Sequence, residues 1–462
     1  LARTCASEGG AAPRSRGRSR FERQYRADHA AARATHPEAQ MAGTTITIGV
    51  DWGVEKLAVC AVDAQGKRLY DKEIDRKGDA IEELVERMLK LADGEAEQLR
   101  VALEMPRAAV LDAFLERGVA TFSLNPKQLD RFRDRHTVAG AKDDDLDAYV
   151  LADALRTDAH LFRRLEPDPE QVVLLRERSR AYEALTEQLL ASANQLRAVL
   201  TRYYPALLTL GTLHEKPWIW RLLELAPTPQ ALRDTPVEEL AGELQDKALR
   251  PARDLAEKLD AARAGKPLPS APGVVEAYSE RALRTLPILR AIYDERQRCI
   301  RELKQLTREM AREPKDDADP DPRPSDMKIV LSMAGIGYRI AAVLMSEARH
   351  ALEARDLQGL RRLGGVAPIT RRSGGKHKRG VVSIRRARHI RVSNAIRLWA
   401  DSARRCDPRA RQLYRELRER GHDYERALRG VGDRLLPMLI AALRDGQLYD
   451  RRRRQGILPQ AA

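Results

Sequence analysis

The sequence has few aromatic residues, few cysteines and no long apolar run. Aromatic side chains make up 5 % of the 462 residues, which argues against a protein that stacks nucleic-acid bases on aromatic platforms. The four cysteines lie far apart and lack metal-ligand spacing, so we expect free thiols in a reducing compartment, the cytoplasm. No apolar run reaches the roughly 18 residues of a membrane span, so we expect no membrane partner.

Acidic residues are outnumbered by basic ones, and the basic excess is concentrated in one region. The formal net charge is +15, which favours a polyanionic partner, most commonly nucleic acid. Residues 361–410 contain fifteen Lys and Arg against two Asp, so most of the excess lies there. Solubility alone would not require this clustering.

The N-terminal part of the chain predicts a tail followed by an α/β domain. Residues 1–43 are basic and lack the apolar segment of a secretory signal, so we expect a disordered tail or a natural start at Met41. Residues 44–165 predict a hairpin of strands and then alternating helices and strands. This is the order of an RNase-H-like sheet, in which two neighbouring strands each offer an acid at one edge. The predicted strands are 46–50, 56–62, 68–74, 101–104 and 120–124, and the predicted helices are 80–91, 108–116, 126–133 and 144–156.

The middle of the chain, residues 166–312, predicts long helices. Apolar residues recur at sevens in residues 171–200, as in a coiled coil, at Leu175, Tyr182, Leu189 and Leu196. A second long helix is predicted at 283–312, where Pro287 is tolerable near a helix start. The two helices could pack on each other as a spacer or serve as a dimerisation arm. The pattern assigns no role to residues 205–275.

A third domain follows an acidic, proline-rich linker at residues 313–326 and extends over 327–450, ahead of a basic tail at 451–462. Two amphipathic segments flank Gly335 and Gly337, which predicts a mainly α domain with a helix-hairpin-helix. Glycines there let backbone N–H groups approach a phosphate. The alternative is a plain tight turn between core helices.

Four carboxylates occupy the ends of predicted elements in the first domain. Asp51 ends the first strand and Glu104 ends a later one, while Asp144 and Asp147 lie three residues apart at a helix start. That spacing places the last two on one helix face. Oxygen ligands of this kind bind hard cations, and a pair of such ions can clamp a phosphodiester. For any one of these acids alone, a solvated or capping residue is the simpler interpretation, and only the set as a whole favours metal binding.

Ser373 lies in a glycine-rich loop with basic residues on both sides. Such cations would stabilise negative charge on a phosphate and could help a hydroxyl attack phosphorus. From spacing alone, passive phosphate binding or capping by Ser373 remains the simpler interpretation. We expect the neighbouring basic residues to contact phosphates, namely Arg371, Arg372, Lys376, Lys378, Arg379, Arg385, Arg386 and Arg388.

Five short motifs resemble one known family, the DEDD-type insertion-sequence transposases (the "one-ten" family). The resemblance covers about residues 44–165 and 327–405. It departs from the family pattern at Asp143, where a Thr is usual, and after Ser373, where many relatives have Lys-x-Gly-Asn. The matching motifs are Gly49–Gly53, Ala102–Pro106, Lys142–Ala148, Met333–Gly337 and the block from Gly365 to Gly374.

The resemblance implies a RuvC-like N-terminal domain and a chemistry for each group of residues. Asp51, Glu104, Asp144 and Asp147 would hold Mg²⁺ or Mn²⁺, and Ser373 would be the nucleophile that links covalently to DNA. Family members act on element ends and target DNA, guided by a structured RNA of the element. They work as dimers or tetramers in which different subunits compose one active site. The long helices of residues 166–312 would then serve assembly, which favours dimerisation.

Three other functions remain open at this point. A RuvC-like nuclease would cut junctions with metal-activated water and leave Ser373 passive. A sugar-kinase-like or actin-like ATPase would need a second phosphate loop, which we do not find. An inactive nucleic-acid-binding relative would not need the intact acid set.

Overall fold

The computed structural model describes ten stretches of the chain. They are residues 45–53, 55–104, 109–124, 126–135, 144–246, 252–266, 268–312, 323–367, 369–371 and 381–450. These residues fall into two compact units that divide between Pro167 and Asp168. The first unit is built on a mixed sheet, and the second is mostly helical.

The sheet of the first unit has six strands in the spatial order β3-β2-β1-β4-β5-β6. Strands β1, β2 and β3 are antiparallel, β1, β4 and β5 are parallel, and β6 is antiparallel to β5. Every residue of β2 after the first is buried, as expected for a central strand covered on both faces. The strands are β1 (Ile46–Trp52), β2 (Lys56–Val62), β3 (Arg68–Asp75), β4 (Leu99–Leu103), β5 (Ala120–Ser123) and β6 (Arg163–Leu165).

Four α-helices accompany this sheet, with short 3₁₀ turns at Ala96–Gln98 and Ala159–Leu161. Helix α1 is amphipathic and buries Ile81, Leu84, Val85 and Met88 in a core with β1, β2 and β4. Helix α4 runs two residues beyond its predicted end, and the short strand β6 was not predicted. The helices are α1 (Gly78–Leu91), α2 (Ala109–Glu116), α3 (Pro126–Arg133) and α4 (Asp144–Asp158).

The second unit contains thirteen α-helices, a short strand pair and a 3₁₀ turn at Pro205–Thr209 among its described residues. The middle helices are α5 (Glu170–Tyr203), α6 (Pro217–Leu225), α7 (Pro229–Asp234), α8 (Val237–Glu243), α9 (Leu255–Ala264) and α10 (Val274–Met310). The C-terminal elements are α11 (Asp326–Ser332), α12 (Tyr338–Glu347), α13 (Arg349–Glu353), α14 (Leu357–Gly364), β7 (Ile369–Arg371), β8 (Val381–Ser383), α15 (Ile390–Cys406), α16 (Pro408–Glu419) and α17 (Tyr424–Asp445).

Helices α5 and α10 pack on each other and run antiparallel. Arg296 donates to the hydroxyl of Thr186, and further along α10 the Cys299 thiol donates to the carbonyl of Arg178. The seam residues Leu175, Tyr182, Leu189 and Leu196 are all buried between these helices and their neighbours. The apolar seam is therefore filled within one chain.

The start of α10 differs from the predicted one. The helix begins at Val274, directly after Gly273 in the left-handed region at φ 79°, rather than at Leu283. Pro287 consequently lies well inside the helix, where it removes one backbone hydrogen bond. Packing of Ala282, Leu286 and Leu289 in the core on either side of Pro287 keeps the helix continuous.

The sequence left residues 205–275 without a role; those of them that the structure describes, 205–246, 252–266 and 268–275, form a cap on one end of the α5–α10 pair. Their helices bury Trp218 and Trp220 completely against apolar residues of both long helices. The indole of Trp220 meets the ring of Tyr293 edge-on at 5.4 Å between centroids, and it donates to the carbonyl of Leu213. This region stabilises the pair as a second, separate core.

The other end of the pair packs into the C-terminal helices. Leu175 and Leu303 share a core with α11, α12, α15 and α17, centred on the fully buried Trp399. The middle and C-terminal regions thus lie in one compact unit. Across the described helices of both units, none combines the length and the apolarity that crossing a membrane would require.

A buried carboxylate fixes this docking. Glu347 at the end of α12 accepts hydrogen bonds from Arg180 of α5, at 2.8 and 3.1 Å, and from Arg391 of α15. Arg391 also binds Glu183 at 2.7 Å. Burial acts to raise the pKa of Glu347, but the Arg180 and Arg391 guanidinium groups hold it below its usual range. These charge-assisted bonds have fixed directions, so they set the register of α5 against the C-terminal helices.

Truncation of the α5–α10 seam should destabilise the protein. Leu189→Ala removes a side chain that is 1 % exposed, and we expect the free energy of unfolding to fall by about 2–5 kcal/mol. The matched control is Leu190→Ala, one residue along and 39 % exposed, which should change stability by only about 0.5 kcal/mol. Urea denaturation followed by circular dichroism measures both. Equal effects would show that the seam is not packed as described.

Candidate active site

A backbone contact between α4 and β1 positions the acids. A Cβ atom at Gly49 would overlap the carbonyl oxygen of Ala148 and lie 2.7 Å from the nitrogen of Ala152. Only glycine allows the helix to approach this closely. Ala148 and Ala152 are fully buried at the contact. The helix therefore crosses β1 at a fixed point, one residue after Asp147.

The register of the sheet brings two of the predicted acids to one edge. Val50 of β1 pairs with Leu103 of β4 in parallel, so Asp51 and Glu104 are the next residues on neighbouring strands. Val50 and Leu103 face one apolar core, and alternation turns the following side chains to the opposite face, where α4 lies. Asp51 is buried and Glu104 is half-buried. The strand ends thus place both carboxylates on the α4 side of the sheet.

Asp147 forms a two-point ion pair with a residue that the sequence did not single out. Arg133, the last residue of α3, donates from Nε to Oδ1 of Asp147 at 2.6 Å and from Nη2 to Oδ2 at 2.7 Å. The hydrogen bond to Asp147 is also the main cause of a raised pKa for Arg133. Asp147 is 1 % exposed, so the pair is shielded from water. Nothing in the sequence spacing marks Arg133 as a partner of Asp147.

The oxygen donors of the four acids fit a hard cation, but the described side chains are not arranged closely enough to coordinate one. Among the residues described, no three His, Cys, Asp or Glu side chains lie close enough together to hold a metal ion. Both carboxylate oxygens of Asp147 are engaged by Arg133. Asp144 begins α4, and its side chain lies outside the described residues.

The two glycines of the predicted helix-hairpin-helix have different surroundings. Gly335 has φ 88°, and a Cβ there would lie 2.6 Å from the nitrogen of Ala403 in α15. The indole of Trp399 donates to the carbonyl of Ala334 at 2.9 Å. Packing of the turn on α15 thus explains Gly335. Gly337 precedes α12, and a Cβ there would meet no atom within 4 Å.

In the sequence, Ser373 lies between two short strands, β7 and β8. Strands β7 and β8 are antiparallel, and Arg371 pairs with Val381. The side chain of Arg371 lies outside the described residues. Five further residues of the predicted site lie entirely outside the described residues, namely Arg372, Ser373, Lys376, Lys378 and Arg379.

Basic residues after β8 gather with others from α17. Arg388 lies against Gly365, where a Cβ would be 2.6 Å from its Cδ, and donates from Nη1 to the carbonyl of Arg385 at 3.3 Å. Arg386 is exposed. Burial is the main cause of the lowered pKa of Arg429; the charges of Arg426 and Arg388 act in the same direction, and those of Asp423 and Glu425 oppose it. Several cations thus lie near one another here, with two acids among them.

Enlarging Gly49 should disrupt the acid site through its scaffold. We expect Gly49→Ala to lower the free energy of unfolding by about 1–3 kcal/mol, because the methyl group forces α4 away from β1. Gly78→Ala is the matched control in the same unit, since a Cβ there meets nothing within 4 Å. Chemical denaturation of both variants measures the difference, and a Gly49→Ala variant as stable as the control would contradict the close contact.

Comparison with known proteins assigns the family. A profile described as "Transposase" matches residues 48–205, and one described as "Transposase IS116/IS110/IS902 family" matches 327–415. The protein assigned as the transposase of the IS117 mini-circle in Streptomyces coelicolor is 30 % identical over 424 residues, which is 90 % of this chain and 98 % of that protein.

Two further relatives agree. The protein assigned as transposase y4uE in Sinorhizobium fredii is 39 % identical over 182 residues, which is 39 % of this chain and 51 % of that protein, so this match spans about half of the relative. An uncharacterized 44.8 kDa protein of insertion element IS116 in Streptomyces clavuligerus is 26 % identical over 412 residues, 87 % of this chain and 96 % of its own length. The chain belongs to the IS110/IS116 family of insertion-sequence transposases, and it is an enzyme of DNA transposition.

Proposed function

We propose that this transposase cuts and joins DNA with two groups of residues, the acids of the first unit and Ser373. Asp51, Glu104, Asp144 and Asp147 hold Mg²⁺ or Mn²⁺, and Ser373 is the nucleophile. The substrates are the ends of the element and the target DNA. A structured RNA encoded by the element guides the choice of site.

The observation that carries this proposal is that Asp51 and Glu104 end neighbouring strands on the face of the sheet against which α4, the helix of Asp147, packs. Parallel register places Asp51 beside Glu104, and the Gly49 contact fixes the first turn of α4 on the same face. Antiparallel β1–β2–β3 followed by parallel β1–β4–β5 is also the strand order expected of an RNase-H-like or RuvC-like domain. A divalent cation bound there would supply charge neutralisation at the scissile phosphate.

Ser373 performs the covalent step. Its hydroxyl oxygen attacks phosphorus, loses its proton to a base, and forms a phosphoserine bond to the 5′ side of the break. The 3′ oxygen leaves, takes up a proton and becomes a free 3′-hydroxyl. The basic residues around the serine, among them Arg372 and Lys376, neutralise the phosphate during attack.

The crowded cations beyond β8 support a nucleic-acid surface next to this step. Arg385, Arg386 and Arg388 bind the phosphate backbone of DNA or of the guide RNA. Backbone contacts of this kind position a strand without reading its sequence, which leaves recognition to base pairing with the RNA.

The proposal requires subunits that act together in the cytoplasm as a dimer or tetramer. The α5–α10 seam is filled within one chain, so the contact between subunits uses other surfaces of the protein. The acids of one subunit and the serine of another then compose one active site.

Covalent trapping tests the nucleophile. We expect the full chain, mixed with its element RNA, Mg²⁺ and labelled element-end DNA, to carry the label after denaturation. Ser373→Ala should abolish the labelled band, whereas Ser383→Ala, a serine at the end of β8, should keep it. Cleaved DNA without any labelled protein would instead favour a RuvC-like nuclease that uses metal-activated water.

Asp147→Asn tests the acid set. We expect strand cleavage to fall by roughly a hundredfold or more, while nucleic-acid binding is retained, because one anionic ligand is lost. Asp153→Asn is the matched control, since Asp153 is also buried on α4 and paired with an arginine, Arg156. Quantitative cleavage and gel-shift assays separate the two effects. Normal cleavage by Asp147→Asn would refute the assignment of Asp147.

A further inference from the structure

The Arg133–Asp147 pair differs from the neighbouring ion pair between Arg135 and Asp158. Its two hydrogen bonds are 2.6 and 2.7 Å long, and the side chains are 15 % and 1 % exposed. Two residues along, Arg135 binds Asp158 through one bond of 3.1 Å with an arginine that is 57 % exposed. A shielded two-point pair is held far more strongly than an exposed one-point pair.

The pair also engages both oxygens of one proposed cation ligand. Arg133 is the partner of both carboxylate oxygens of Asp147, and no other group among the described residues bonds to them. Each oxygen keeps a second lone pair, but a cation bound there would lie beside the guanidinium and be repelled by its positive charge. The buried carboxylate, in turn, could not lose the guanidinium without another positive charge, because an unpaired buried charge is costly.

Arg133 has a second partner that would remain if it left Asp147. Its Nη1 donates to Oδ1 of Asp130 at 3.0 Å, one turn earlier on α3. Asp130 is 65 % exposed, so this second carboxylate lies toward solvent. Arg133 can therefore keep a carboxylate partner in either of two states, paired with both acids or with Asp130 alone.

We propose that Arg133 is a positioning residue that competes with a divalent cation for Asp147 and releases this carboxylate when the cation binds. The guanidinium and the cation compete for one carboxylate, so each state has a positive charge beside Asp147. This inference rests on the proposed role of Asp147. It goes beyond that role because it assigns to α3 control over when the site can be loaded.

Competition predicts that the cation binds more tightly when Arg133 is neutralised. We expect Arg133→Gln to lower the apparent dissociation constant for Mn²⁺ by about tenfold, since the cation no longer has to displace a bidentate pair. Arg133→Lys keeps the charge but loses the two-point geometry, so its affinity should lie between wild type and Arg133→Gln. Free Mn²⁺ is measured by electron paramagnetic resonance in titrations of the full chain without DNA.

The controls separate competition from simple loss of charge. Arg135→Gln removes one positive charge nearby and should leave Mn²⁺ affinity within about twofold of wild type, because exposed charges are screened. In addition, Mn²⁺ should raise the melting temperature of Arg133→Gln by more than it raises that of wild type. The ion replaces a charge that the variant has lost.

Each failure has a distinct signature. If Asp147→Asn abolishes Mn²⁺ binding but Arg133→Gln and Arg133→Lys bind as wild type does, the competition is refuted while the metal role of Asp147 stands. If Asp147→Asn and Asp51→Asn both bind Mn²⁺ like wild type, the proposed metal site itself is wrong, and the competition falls with it. Tighter binding by Arg135→Gln equal to that of Arg133→Gln would reduce the effect to nonspecific charge.

Discussion

The close crossing of α4 over β1 at Gly49 is the constraint on which the first unit depends. A helix normally packs on a sheet through a layer of side chains, but here backbone meets backbone and the flanking residues Ala148 and Ala152 are small. The crossing point determines which residues of α4 reach the end of β1. Because Asp147 precedes Ala148 and Asp51 follows Gly49 by two, one missing Cβ sets the position of helix acids relative to strand acids. The parallel pairing with β4 then extends the same geometry to Glu104. The position of the proposed acid site thus depends on a close backbone contact that involves no charged side chain.

In the second unit, one pair of helices contributes to two separate apolar cores. Apolar packing is non-directional, and a long seam of leucines permits sliding by a turn. At one end of α5 and α10 the cap region opposes this sliding through side-chain packing, because Trp218 and Trp220 are completely buried among apolar residues of both long helices. At the other end polar geometry does so, because Glu347 must meet guanidinium groups from α5 and α15 together. His389 completes this end: its Nδ1 accepts from the backbone of Val392 at the start of α15, and burial lowers its pKa, which favours the neutral form that can accept.

The sequence was informative where one physical factor dominates. Strand β2 begins and ends where predicted, because an uninterrupted apolar run between turn residues has no competing interpretation. The apolar residues that recur every seven positions from Leu175 to Leu196 correctly predicted a buried seam, because this pattern depends only on helix periodicity. The start of α10 was misplaced because Pro287 is a strong local signal, and tertiary packing overrode it. Gly335 was read for phosphate approach, yet its positive φ and its contact with α15 provide a packing reason that only the folded chain reveals. Arg133 was missed altogether, since a salt bridge across fourteen residues leaves no periodic trace.

Asp147 and Glu347 show that a buried carboxylate can be kept in two ways. Glu347 is bound by the guanidinium groups of Arg180 and Arg391, so losing one cation still leaves the other, and the anion is fixed. Asp147 has one cationic partner among the described residues, anchored on a short helix next to a carboxylate that lies toward solvent. The first arrangement suits a permanent contact between helices, because replacing one cation would leave the carboxylate bound to the second. The second suits a ligand that must change partners, because one incoming positive charge replaces one outgoing charge and leaves the buried carboxylate neutralised throughout. The number of cations around each buried acid therefore agrees with a structural role for Glu347 and with the exchange that we propose for Asp147.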